Sequence, residues 1–133
     1  MKKTLICKVL FFAACLFTLP SCSDDIDMDG SLWVSDVLTS DLGDGKTYER
    51  YFCKYFSNGY VTSYRIYRKN GSDWRSEREF QQRYAVDGNT VNYLDDPTYS
   101  PLQIHGDMFA SGRVVYYRSN LHLMEVLLGR FSK

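Results

Sequence analysis

Cysteine and histidine are scarce in this 133-residue chain, and each shortage narrows what the protein can be. The four cysteines fall at positions 7, 15, 22 and 53, so beyond residue 22 a single thiol remains. A domain built from that part of the chain has no internal disulfide, and its core must supply the stability unaided. The two histidines, His105 and His122, stand on different segments, without His-x-x-x-His or Cys-x-x-Cys spacing. No metal or other cofactor is therefore expected. The paired acids Asp95 and Asp96 lack the further spaced oxygen ligands of a calcium loop and read as a solvated turn. There is neither a Gly-x-Ser-x-Gly nucleophile elbow nor a phosphate-cradling glycine loop, so a non-catalytic protein is expected. Sixteen basic residues against sixteen acidic ones leave no positive excess, which argues against a nucleic-acid partner.

The first thirty residues read differently from the rest. Lys2, Lys3 and Lys8 precede an uncharged stretch, Val9 to Leu19. As a helix these eleven residues would span roughly 16 Å, short of the ~30 Å hydrocarbon core of a bilayer. A basic start, a short apolar stretch and a small residue before a cut site describe a signal peptide over residues 1–21. A buried N-terminal helix is the competing reading. Leu19-Pro20-Ser21-Cys22 resembles the lipobox of bacterial lipoproteins. That resemblance implies cleavage before Cys22 and acyl chains such as palmitate on its sulfur and amine, anchoring the protein to a membrane. Ordinary cleavage nearby, with Cys22 incidental, is the alternative. Residues 22–30 contain four acids, Asp24, Asp25, Asp27 and Asp29, and read as an acidic flexible tether. Cys22-Ser23-Asp24-Asp25 further resembles the lipoprotein export signal of Bacteroidota. In that signal, acids just after the lipidated cysteine send the protein to the outer face of the outer membrane; the periplasmic face is the alternative.

Residues 31–133 read as a single all-β domain. Leu32–Leu38, Thr47–Phe56, Tyr60–Tyr67, Thr90–Leu94 and Arg113–Arg118 are strand-like, with apolar positions recurring near every second residue. Asn58-Gly59, flanked by aromatic strands, is a strong hairpin signal. Trp74, Phe80, Tyr84 and Val86 are expected on one face of a further strand, with a helix over Asp73–Gln82 competing locally. Leu102–His105 and Asp107–Phe109 add one or two short strands. Leu121–Phe131 fits either helix or strand, and strand is the expectation. Seven or eight short strands at about ten-residue spacing point to an antiparallel barrel or sandwich. Cys53, inside the aromatic run Tyr51–Phe56, reads as a small buried apolar residue.

Gly30-Ser31-Leu32-Trp33, the hairpin Tyr55-Phe56-Ser57-Asn58-Gly59-Tyr60 and Tyr84-Ala85-Val86-Asp87-Gly88-Asn89-Thr90-Val91 together resemble the small lipocalin-like surface lipoproteins of gut Bacteroidota. The resemblance implies a β-barrel that binds a small apolar or carbohydrate ligand. Tyr48, Tyr64, Tyr67, Trp74 and Tyr84 are the candidate residues to line its mouth. A protein-interaction module, such as an accessory subunit, immunity protein or inhibitor, is the competing expectation.

Overall fold

The computed structural model describes residues 24–131. The expected signal peptide over 1–21, the lipidation site Cys22 and Ser23 of the expected export signal lie outside the described residues. Strands account for 57% of the structure, and the chain is all-β as expected. In chain order they are β1 (Leu32–Ser35), β2 (Leu38–Gly43), β3 (Lys46–Ser57), β4 (Tyr60–Lys69), β5 (Arg75–Asp87), β6 (Thr90–Tyr93), β7 (Leu102–Gln103), β8 (Met108–Ser111) and β9 (Val114–Ser119). One helix, α1 (Leu123–Leu127), follows. Eight strands form a single antiparallel path, β7-β6-β5-β4-β3-β1-β9-β8, and β2 adds outside it onto β3. The ends of the path, β7 and β8, meet beside a bridge between His105 and Met108. The sheet thus curls into a nearly closed barrel rather than a sandwich. Among the described residues, no helix is long and apolar enough to cross a membrane.

Turn chemistry sets the hairpins. Asn58 and Gly59 both adopt positive φ (55° and 83°), the geometry whose twist matches that of the flanking strands, and Ser57 pairs directly with Tyr60. Asp44 and Gly45 do the same (54° and 72°) and create a hairpin between β2 and β3. β2 (Leu38–Gly43) falls where the sequence pattern marks no strand, between Leu38 and Thr47. Between β4 and β5 the register shifts, pairing Ser63 with Phe80 but Tyr64 with Arg78, so Glu79 is the extra residue of a bulge. The bulge inverts the face of every β5 residue before it. Trp74, expected to share a face with Phe80, Tyr84 and Val86, instead precedes β5 and packs on the opposite side of the sheet.

The long strand β3 divides two cores. Phe56, Trp33, Val61, Val91, Phe109 and Tyr116 fill the barrel side. Leu32, Val34, Tyr51, Cys53 and Ile66 form the outer cluster, with Val126 of α1 seated on them. Cys53 is fully buried there. The tail expected as a strand is a helix because β9 stops at Ser119 and Leu123, Val126 and Leu127 then recur at helical spacing against this cluster. The Tyr51 hydroxyl donates to the Val126 carbonyl, and the Glu125 carboxylate accepts from the His122 backbone N–H (3.0 Å) while pairing with Arg130 (2.6 Å).

The segment expected as a flexible tether is likewise docked where the structure describes it. Met28 is 2% exposed and Ile26 packs on the barrel-side core. The Ile26 N–H donates to the Gly88 carbonyl (3.0 Å), and the Gly88 N–H donates to the Asp25 carboxylate (2.7 Å). The Asn58 N–H donates to Asp29 (2.9 Å). Alternation explains the discrepancy: two apolar side chains enter the barrel end while Asp25 and Asp29 cap neighbouring turns. Composition alone registers only the acids.

Gly129 closes the tail at φ 111°, and a Cβ there would lie 2.3 Å from Cδ1 of Trp74. Gly129→Ala is expected to destabilise the domain by about 1–3 kcal/mol through this clash. Thermal unfolding checks it; an unchanged midpoint would show that the tail does not rest on Trp74.

Candidate functional site

Lys54 lies three residues before the end of β3 on the barrel side, in alternation with Phe52 and Phe56. It is only 4% exposed. Register places its partners. Lys54 pairs across β4 with Ser63, and its Nζ donates to the Ser63 hydroxyl at 3.1 Å. Ser63 in turn pairs with Phe80 on β5, which brings that ring under the ammonium, 4.7 Å from Nζ to the centroid. From β9, the ring of Tyr116 lies 5.2 Å away, held by stacking on Phe109 (4.9 Å, 15°), which itself packs on Trp33 (5.0 Å). Ring faces carry negative potential and partly replace the lost water of a cation. Among the described residues no carboxylate forms an ion pair with Lys54. Burial lowers its pKa from 10.5 to about 8, against smaller opposing influences from Glu79 and Cys53.

Beside this amine lies a cavity of about 310 Å³ lined by Lys54, Phe80, Tyr93, Thr98, Tyr99, Ser100, Leu102, Ala110, Ser111 and Gly112. Three of these rings pack on one another as a wall: Phe80 and Tyr93 at 5.9 Å, Phe80 and Tyr99 at 5.0 Å, Tyr93 and Tyr99 at 5.3 Å. Burial, with Tyr99 adding to it, raises the pKa of the Tyr93 phenol, which stays protonated as a hydrogen-bond donor. Tyr99 comes from the loop between β6 and β7 and is 38% exposed, at the mouth. Asp95 anchors that loop: its carboxylate accepts from the Arg83 backbone N–H and from Arg83 Nε, both at 2.8 Å, which holds its pKa below the ordinary carboxylate value. Asp96 is committed to Thr98, accepting from its N–H (2.9 Å) and hydroxyl (2.6 Å). Both acids of the pair are thus spent on loop geometry. Among the described residues no group of three or more His, Cys, Asp or Glu side chains could hold a metal ion.

The five aromatics singled out from the sequence are not brought together. Tyr48 and Tyr67 lie near each other (6.2 Å), but Arg50 stands over the first ring (5.5 Å) and Arg65 over the second (4.9 Å). Trp74 carries Arg68 on its face (4.3 Å) and packs edge-on against Tyr51. A guanidinium thus stands over one face of each of these three rings. Tyr84 sits edge-on to Phe56 (5.0 Å, 87°) in the barrel-side core. Tyr64 lies on the outer face, where with Tyr55, Tyr60 and Leu123 it lines a second groove, of about 480 Å³. None of the five lines the Lys54 cavity. Lys54 matches no motif. The available signal was a lone cation at an alternate position between Phe52 and Phe56, placing charge on the apolar face of a strand.

No known protein family, curated protein or solved structure matches this chain.

The lowered pKa links Lys54 to stability. Below pH 8 the lysine is protonated both folded and unfolded, and its buried charge costs about 3 kcal/mol, taken as the shift at ~1.4 kcal/mol per unit. Between pH 8 and 10.5 the unfolded chain binds more protons than the folded one, so this cost is relieved as pH rises. Lys54→Met should therefore stabilise the ligand-free protein by about 1–3 kcal/mol at pH 7, with the gain shrinking above pH 8. Chemical denaturation of both proteins across this range measures the difference; a pH-independent difference would contradict the assignment.

Proposed function

We propose that the protein is a lipid-anchored, non-catalytic surface lipoprotein of lipocalin-like type, whose barrel holds a small ligand beside Lys54. The observation that carries this reading is the cavity itself. A buried cation, a three-ring aromatic wall and a loop pinned at its base converge on about 310 Å³, within the range of small-molecule sites. An exposed lysine would gain nothing from such a setting, and a core built only for stability would hold an apolar residue there.

The anchor rests on the lipobox and export-signal resemblance of Leu19–Asp25, which would put acyl chains on Cys22 and the domain on the outer face of the outer membrane. Geometry adds a consequence. Asp25 is tied to Gly88, and three residues of chain reach at most about 11 Å, so an anchor on Cys22 would hold one end of the barrel close to the bilayer. That end carries the β3–β4 and β5–β6 turns. Strand register puts the β6–β7 loop and the β8–β9 turn, which rim the cavity, at the opposite end. A ligand would then enter from the side away from the membrane.

A second reading, a protein-interaction module, draws on α1: Met124 and Leu128 are 64% and 73% exposed, near the outer groove containing Tyr55, Tyr60 and Tyr64.

Native mass spectrometry of the full chain, released from its own membranes in mild detergent, separates the two. The expected spectrum shows a retained small molecule and acyl mass on Cys22, the latter absent from Cys22→Ala. Repeated absence of any small molecule, with one protein co-purifying, would sink the ligand reading; acyl mass persisting in Cys22→Ala would sink the anchor.

A further inference from the structure

The lining of the Lys54 cavity is chemically one-sided. Besides the amine, its polar side chains are the hydroxyls of Thr98, Ser100 and Ser111 and the phenols of Tyr93 and Tyr99; there is no Asp, Glu, Asn or Gln among them. An ammonium has three N–H donors. Among the described residues the one side-chain hydrogen bond of Lys54 goes to Ser63, the rings of Phe80 and Tyr116 flank the amine, and Glu79 acts on it through space without forming an ion pair. Ring faces attract a cation but do not accept hydrogen bonds as an oxyanion does. The site therefore offers a positive charge and hydroxyls able to donate or accept, with no carboxylate in its lining.

This sorts the ligand classes. A neutral sugar could bond the lining hydroxyls but would bring no opposite charge to the ammonium. An amine would meet Lys54 as a like charge. A purely apolar molecule would fill the volume but leave the ammonium as it is. A carboxylate completes it, since a charge-assisted hydrogen bond in a water-poor site is among the strongest a protein makes. The volume limits size: at ~30 Å³ per water, about 310 Å³ holds roughly ten waters, or a ligand of about a dozen non-hydrogen atoms. The Phe80–Tyr93–Tyr99 wall selects an apolar, preferably aromatic, body.

We infer that the cavity takes a small organic carboxylate with an apolar body, its carboxylate paired to Lys54 Nζ and its body against the Phe80, Tyr93 and Tyr99 rings. The inference rests on the cavity being a ligand site, and its test keeps the two claims apart. The probes are 4-butylbenzoate, 4-butylbenzyl alcohol and 4-butylbenzylamine, which share one body and differ in the head group. Isothermal titration with the purified full chain at pH 7 is expected to give the carboxylate at least about tenfold tighter binding than the alcohol, with the amine weakest. In Lys54→Met, the carboxylate should lose that advantage while the alcohol binds as well as before or better. Equal binding of carboxylate and alcohol by the wild-type protein would overturn the anion assignment and leave the cavity reading standing. Binding of none of the three would overturn both. The wild-type comparison decides the matter even if the variant fails to fold.

Discussion

A lysine ammonium enclosed by a barrel wall is a demand on everything around it. Taking such a charge out of water costs several kcal/mol unless partners replace the lost hydration. Here β3 carries the amine and the replacement comes from three other strands: β4 supplies the Ser63 hydroxyl, β5 the Phe80 ring and β9 the Tyr116 ring. Each depends on register. A slip of one residue between β3 and β4 would put Lys54 opposite Thr62 or Tyr64, and the hydroxyl and the ring below it would leave together. The bulge at Glu79 belongs to the same arrangement, because it lets Phe80 face the barrel interior while the earlier part of β5 turns its other side inward. A small domain whose one described thiol is unpaired has no staple to absorb the residual cost. It carries that cost in its core, and a ligand anion is the partner that would remove it.

Support for the barrel comes from both sides of β3. On the outer side Tyr51, fully buried, ties the strand to α1 through the Val126 carbonyl and packs edge-on against Trp74. On the inner side Trp33, Phe109 and Tyr116 form a connected stack that ends at Lys54. At one barrel end, Ile26 and Met28 enter the core beneath the turns that Asp25 and Asp29 cap. The apolar material is thus concentrated at the end where the chain enters and along the outer face. The opposite end is left to a loop rich in hydroxyl and phenol groups, which borders the Lys54 cavity.

Much of this could be read in the amino-acid order. Alternation in Tyr60–Tyr67 and Arg113–Arg118, and Asn58-Gly59 between aromatic strands, lead directly to the observed hairpins, because period two and left-handed turn residues are local properties. The parts that were not legible are those decided at a distance. The bulge at Glu79 leaves no local mark, so parity along β5 misplaced Trp74. Leu121–Phe131 fits two periods, and only the outer cluster around Tyr51 selects the helix. Ile26 and Met28 are outnumbered by acids, and their docking needs the Gly88 turn to be in place. For the site, the five aromatics are dispersed: arginines stand over Tyr48, Tyr67 and Trp74, Tyr84 packs on the barrel-side core and Tyr64 faces the outer groove. The informative residue was the cation between Phe52 and Phe56, which a search for motifs passes over because a single lysine has no spacing to match.

The claim on which the account turns is that Lys54 is held inside the barrel without a neutralising acid, and its own titration tests this most directly. Nitrogen-15 NMR of the side-chain amines in the full chain, with the Lys54 signal assigned by its loss in Lys54→Met, follows that amine through pH. The account predicts a midpoint of about 8 for Lys54. A midpoint at the ordinary lysine value of 10.5 would mean the amine is hydrated or paired, and would contradict it.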